Sequence, residues 1–180
     1  MTKAKPMISS VNRSGAAAAL AIALMLSGVA APVLAASPAS NTFQVTATIA
    51  SSCTVSGSAL NFGGSIDPLA TATPIDATST LSVVCTNTTP YTVALNAGVN
   101  AGGASNFSTR RMKSGSNTLG YQLYLDAGRS TVWGDGTASS TSSGTGTGSV
   151  QNLTIYGRLP SLANVVPGAY TDTVTVTVSY

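Results

Sequence analysis

The side chains with chemistry to offer are few. The chain has no histidine and no glutamate, and its five carboxylates, Asp67, Asp76, Asp126, Asp135 and Asp172, are scattered through turn-like sequence. General acid/base work and metal binding need such groups in clusters, and a serine or threonine nucleophile needs a base to activate it. The chain is therefore read as a non-enzyme, with no catalytic residue, cofactor site or metal site assigned. What remains is one pair of cysteines, Cys53 and Cys85. In an exported chain the default for two cysteines is a disulfide. A reactive or metal-binding pair is the other reading, and it has neither a histidine nor a second cysteine pair to complete it. Closing the loop between them would contribute roughly 3 to 4 kcal/mol by restricting the unfolded chain.

The start of the chain supplies the compartment. Lys3, Lys5 and Arg13 give a basic segment, residues 16–29 an uncharged apolar run, and Val33-Leu34-Ala35 the small residues that a signal peptidase reads. Residues 1–35 thus read as a cleaved secretory signal peptide, with the mature chain starting at Ala36. The run also approaches the roughly 20 residues of a spanning helix, so an uncleaved anchor is the alternative. No later segment is apolar enough to span a membrane. The mature form is expected to pass through the periplasm to the cell surface, or to be secreted, without a membrane span. Once the signal is removed, Arg110, Arg111, Lys113, Arg129 and Arg158 face the five aspartates, and the chain is formally neutral. A nucleic-acid partner is not indicated.

The elements that would position the cysteines are strands. Residues 80–85 alternate, with Leu81, Val83 and Cys85 on one face. Tyr91, Val93 and Leu95 repeat the pattern, as do Leu119, Tyr121, Leu123 and Leu125 in a single strand, and then Leu153, Ile155, Gly157 and Leu159. Leu60-Asn61-Phe62 reads as a short strand ended by glycines, and residues 68–77, with two prolines, as a surface connection. Residues 134–149 are built almost wholly of Gly, Ser and Thr, and a mobile loop is expected there. The cluster Arg110-Arg111-Met112-Lys113 is either a solvated strand edge that discourages stray pairing or a surface for an acidic partner. Trp133 is either a packed residue or an exposed binding aromatic. Tyr121 and Tyr124 point to opposite faces, so one of them belongs to the core. Strand after strand with turn signals and no amphipathic helix describes an all-β, immunoglobulin-like sandwich.

Two stretches frame that sandwich. Near the start of the mature chain, residues 42–49 alternate strictly: Phe43, Val45, Ala47 and Ile49 on one face, Thr42, Gln44, Thr46 and Thr48 on the other. At the far end Val174, Val176, Val178 and Tyr180 alternate with Thr173, Thr175, Thr177 and Ser179 up to the last residue. A sandwich that stops inside such a strand lacks a strand to cover its free edge, and exposed edges recruit strands from other molecules. Residues 42–49 are either the first strand of their own sandwich or a strand donated to a neighbouring copy.

A set of motifs runs through the same order: Cys53-Thr54-Val55, Leu60-Asn61-Phe62-Gly63, Leu81-Ser82-Val83-Val84-Cys85-Thr86 and Leu119-Gly120-Tyr121-Gln122-Leu123-Tyr124. They continue in Val132-Trp133-Gly134-Asp135-Gly136, Tyr156-Gly157-Arg158-Leu159-Pro160 and Pro167-Gly168-Ala169-Tyr170-Thr171-Asp172. Together they resemble the spore coat protein U domain family, which includes pilin subunits of archaic, Csu-type chaperone-usher pili. The resemblance implies an incomplete immunoglobulin-like β-sandwich over residues 51–180, completed by a donated N-terminal strand from a neighbouring subunit, with residues 36–50 as leader and donor. It places the donor side chains at Phe43, Val45, Ala47 and Ile49, the acceptor edge at Val174, Val176, Val178 and Tyr180, and the disulfide at Cys53 and Cys85. It implies a homopolymer assembled with a periplasmic chaperone and an outer-membrane usher, carrying a possible tip adhesin and serving surface adhesion and biofilm formation. With room for one domain, the chain is expected to be a shaft pilin. A spore or cell-coat structural protein of the same family is the neighbouring reading. A secreted monomeric binding module, using residues 134–149 or 110–113 as its contact surface, is the alternative from another class.

Overall fold

A computed structural model describes residues 37–137 and 140–180; the expected signal peptide lies outside them. The chain divides into two units, Met1–Val45 and Thr46–Tyr180. In the first, residues 37–45 form no strand and are exposed.

The second unit is built from nine strands: β1 (Cys53–Gly57), β2 (Ile75–Cys85), β3 (Pro90–Leu95), β4 (Arg111–Ser114), β5 (Asn117–Gly120), β6 (Gln122–Tyr124), β7 (Ser142–Thr145), β8 (Gln151–Leu159) and β9 (Val176–Ser179). One short 3-10 turn, Phe107–Thr109, precedes β4, and the described residues contain no α-helix. One sheet has the order β1-β2-β8-β6, a second β7-β3-β9, and β4 and β5 form a separate hairpin. All named pairings are antiparallel. The period of two in β2, β3 and β8 puts Leu81, Val83, Tyr91, Val93, Leu95, Ile155 and Leu159 inside, facing one another across the two sheets. Trp133 is among the most completely buried side chains, and its indole N–H donates to Val93 O at 3.0 Å. It is thus a packed residue. Of the two tyrosines, Tyr121 is buried and Tyr124 half-buried.

Four local expectations need correction. First, β2 begins at Ile75 rather than Thr80, because Asp76 to Ser79 extend the ladder with β8 as far as Ile75 opposite Leu159. Secondly, the stretch around Leu60 is not a strand. It lies over β8 at Gly157, where an added Cβ would meet Leu60 Cδ1 at 2.7 Å and Phe62 Cζ at 3.0 Å.

The other two concern pairing. The run from Leu119 to Leu125 is two strands: β5 pairs with β4, β6 pairs with β8, and Tyr121 stands at the switch with its amide bonded to Arg110 O. Its alternation survives the change of partner, so the pattern could not reveal it. Residues 134–149 are not one loop either. Ser142 to Thr145 pair with β3, and Gly144 sits where a Cβ would strike the Tyr91 ring at 2.6 Å. Backbone hydrogen bonds and close approach replace the apolar burial that these residues lack.

An open groove between two strand edges as candidate functional site

Cys53 and Cys85 are opposite each other in the β1–β2 register and form a disulfide, with a Cα–Cα distance of 4.1 Å. This ties β1, the outermost strand of its sheet, to a strand whose Cys85 is fully buried. Among the described residues β1 pairs with β2 alone, and β9 with β3 alone. The two strands approach across the sandwich without pairing. Each therefore presents unpaired N–H and C=O groups along one edge.

The core lies open as two adjoining hollows, each of about 630 Å³; the first reaches β1 at Gly57 and β9 at Val176, and the second runs on from it beyond either strand. In the first, residues 57–60 form one wall, Val174 and Val176 the other, and Leu81, Leu95, Leu123 and Ile155 the floor. The second continues over Ile66, Leu119, Leu159, Leu162 and Val165. Leu60, Phe62, Met112 and Tyr170 line both. The hairpin β4–β5 places Met112 opposite Leu119, and Lys113 bonds through its backbone to Thr171 at the approach to β9.

Of the expected edge residues, Val174 and Val176 line the first hollow, and Val178 and Tyr180 line neither. Val174, Val176 and Val178 alternate with exposed Thr173, Thr175, Thr177 and Ser179, as the pattern requires, yet none of the three valines is more than half-buried. Tyr180 is 59% exposed. Across the gap, Val55 on β1 is also exposed. The three valines pack against the core from its open side. Residues 42–49 form no strand, and Phe43, Val45 and Ile49 are 88%, 82% and 87% exposed; Ala47 is exposed too. The reading of this stretch as a strand within its own sandwich is not what the structure holds.

One end of the first hollow is polar. Asp172 accepts hydrogen bonds from the Tyr121 hydroxyl at 2.6 Å and from the backbone N–H and the side-chain amide of Asn100 at 3.2 and 2.8 Å. Burial, and then the bond to Asp172, push the Tyr121 phenol well above its ordinary range. Arg110, expected at a solvated edge, is 2% exposed. Its guanidinium donates to Asn96 O and Trp133 O at 2.8 Å each and to Gln122 Oε1 at 2.9 Å, and it lies 5.2 Å from the Phe107 ring centroid. Burial lowers its pKa to about 10, against the opposing pull of Tyr121 and Asp172. Planar donors can serve several carbonyls at once, which makes Arg110 a clamp between loops rather than a surface charge. Arg111 is half-buried with Nε on Asn100 O, which leaves Lys113 as the exposed charge of the cluster.

The sequence reading found the cysteines and β9, although that strand spans only Val176–Ser179 and leaves the expected Val174 and Tyr180 outside it. It missed the residues that join the two hollows: Leu60, Phe62, Met112 and Tyr170 come from three separate stretches. Among the described residues there is no group of three or more metal-ligating side chains, and no helix is long and apolar enough to cross a membrane.

The model of the Spore Coat Protein U domain matches residues 39–177, a range that takes in residues 42–49 as well as the sandwich. Protein U of Myxococcus xanthus is 34% identical over 137 residues, covering 69% of this chain and 73% of that protein. The fold is similar to a chain in the crystal structure of the CsuC-CsuE chaperone–tip adhesion subunit pre-assembly complex from the archaic chaperone-usher Csu pili of Acinetobacter baumannii. The TM-score is 0.53 and the identity 27%, over 74% of this chain and 40% of that one. This chain thus spans well under half the length of the chain it matches there. An all-β sandwich of the chaperone-usher pilin type, a disulfide at Cys53 and Cys85, and a family match over most of the chain agree: the chain belongs to the Spore Coat Protein U domain family.

Proposed function

We propose that the chain is a structural subunit, a shaft pilin, that polymerises by placing residues 42–49 of one copy in the groove between β1 and β9 of the next. The observation that carries this reading is the groove itself: an uncovered apolar core bounded by two unpaired strand edges, in a chain that also holds an exposed, strictly alternating apolar segment. An inserted strand meets backbone donors and acceptors along the edges of the gap. Chaperone–pilin donor-strand complementation is an established example of such strand addition. Inward side chains on a strand repeat every ~7 Å, so Phe43, Val45, Ala47 and Ile49 reach along about 20 Å of groove. Burying Phe, Val and Ile with the smaller Ala contributes roughly 5 to 9 kcal/mol before backbone bonds and ordering costs.

Several features of the surrounding machinery follow from this reading. Residues 1–35 direct export. A periplasmic chaperone covers the groove before assembly, and an outer-membrane usher passes subunits to the surface. There the fibre, with a tip adhesin at its end, serves adhesion and biofilm formation. The match to the Spore Coat Protein U domain also favours a second context, a coat layer built by the same strand exchange.

Purifying residues 36–180 with and without residues 42–49, and adding the excised peptide, tests the mechanism. Deletion is expected to give an unstable monomer that the peptide stabilises, and Phe43→Asp or Ile49→Asp is expected to abolish oligomers. A stable monomer whose groove takes no peptide, or fibres from either aspartate variant, overturns it. Electron microscopy of the surface separates fibres from a coat.

A further inference from the structure

Resting on the strand-exchange reading, we propose that Met112 is an oxidation site that switches the groove from receptive to blocked. Among the described residues it is the one methionine, and no free cysteine accompanies it. The large oxidisable aromatic Trp133 is sealed in the core. Met112 is different: half-buried on β4, it lines both hollows and so sits where they join, midway along the groove. Its neighbours there are Leu60, Phe62, Leu119 and Tyr170, and the one side-chain donor among them, the Tyr170 hydroxyl, is already given to Val166 O at 2.7 Å.

A thioether in that place does two things. Unbranched and polarisable, it adapts to whatever side chain arrives above it. It is also open to peroxides while the groove is empty. The sulfur lone pair attacks one peroxide oxygen and the O–O bond breaks. The leaving hydroxide takes the proton from the transferred oxygen and departs as water. Sulfur has been oxidised by two electrons to the sulfoxide, and the peroxide reduced. The new S=O is a strong acceptor on the groove floor. In the open groove water solvates it; under an inserted strand it is buried among leucines, phenylalanine and a tyrosine whose hydroxyl is already engaged. That uncompensated burial weakens insertion by about tenfold or more. Insertion shields the same sulfur, so assembled subunits resist an oxidant that disables free ones.

The experiment uses the mature chain carrying Ile49→Asp in its own arm, so that no other copy fills its groove, and a synthetic peptide of residues 42–49 with the parent sequence. The affinity of the peptide is measured before and after hydrogen peroxide treatment, with peptide mapping by mass spectrometry to locate added oxygen. Peroxide is expected to place one oxygen on Met112, to weaken peptide binding about tenfold or more, and to react at least about tenfold more slowly at Met112 when the peptide is bound. In Met112→Leu the ratio of affinities before and after peroxide is expected to stay near one, whatever the starting affinity. Sulfoxide at Met112 with undiminished binding, equal oxidation with and without peptide, or continued peroxide sensitivity in Met112→Leu overturns the switch while leaving strand exchange intact. Untreated chain that takes no peptide overturns strand exchange itself, and the switch with it.

Discussion

Val93 and Val176 lie in the same sheet, on the paired strands β3 and β9, Val93 opposite Val178 and Val176 opposite Leu95, and both belong to the alternating inward face. Val93 is fully buried; Val176 is half-buried and lines the open groove. The closed half of the sandwich and the open seam are thus written in one alphabet. Alternation states which way a side chain faces; it does not state whether anything lies over it. Coverage is decided by the number of layers, and among the described residues no strand pairs with the outer edge of β1 or of β9.

That contrast can be broken first on the closed side. Trp133→Ala leaves a large void and strands Val93 O without its donor, and a loss of about 3 to 5 kcal/mol in urea unfolding is expected. Next comes the staple that joins the two regions. Cys85→Ser frees β1 from β2, and a loss of about 3 to 4 kcal/mol is expected, with lower accumulation of exported protein; equal midpoints with and without reductant in the parent would remove this role. The smallest effect is also the sharpest. Val93→Ala is expected to cost about 2 kcal/mol in any state of the protein, whereas Val176→Ala should cost less than about 1 kcal/mol in the free domain and more once peptide 42–49 is bound. Equal costs for the two valines in the free domain would mean that the seam is closed.

Much of this architecture was legible beforehand. The strands β2, β3 and β8, the alternation up to Tyr180, the cysteine pair and the exposed apolar arm follow from periodicity and residue type. The junction of the two hollows was not legible, because Leu60, Phe62, Met112 and Tyr170 converge only through the fold. Arg110 was misread for a related reason. Three cations within four residues suggest a wetted surface, yet the carbonyls of Asn96 and Trp133, from two other parts of the chain, draw one guanidinium inside. The pairing of Ser142 to Thr145 escaped because edge strands are held by backbone groups, which every residue carries.

The lengths of the other strand edges have a consequence for growth. The far edge of one sheet is β6, three residues long, and that of the other is β7, four residues with a glycine among them. Edges so short are poor templates. On the strand-exchange reading the subunit then behaves as a bifunctional monomer with two unlike ends, one arm and one seam. Condensation of such monomers gives an unbranched chain with a direction: every junction is the same, a free arm remains at one terminus and an unfilled seam at the other, and a single molecule that fills the seam without offering an arm acts as a chain stopper.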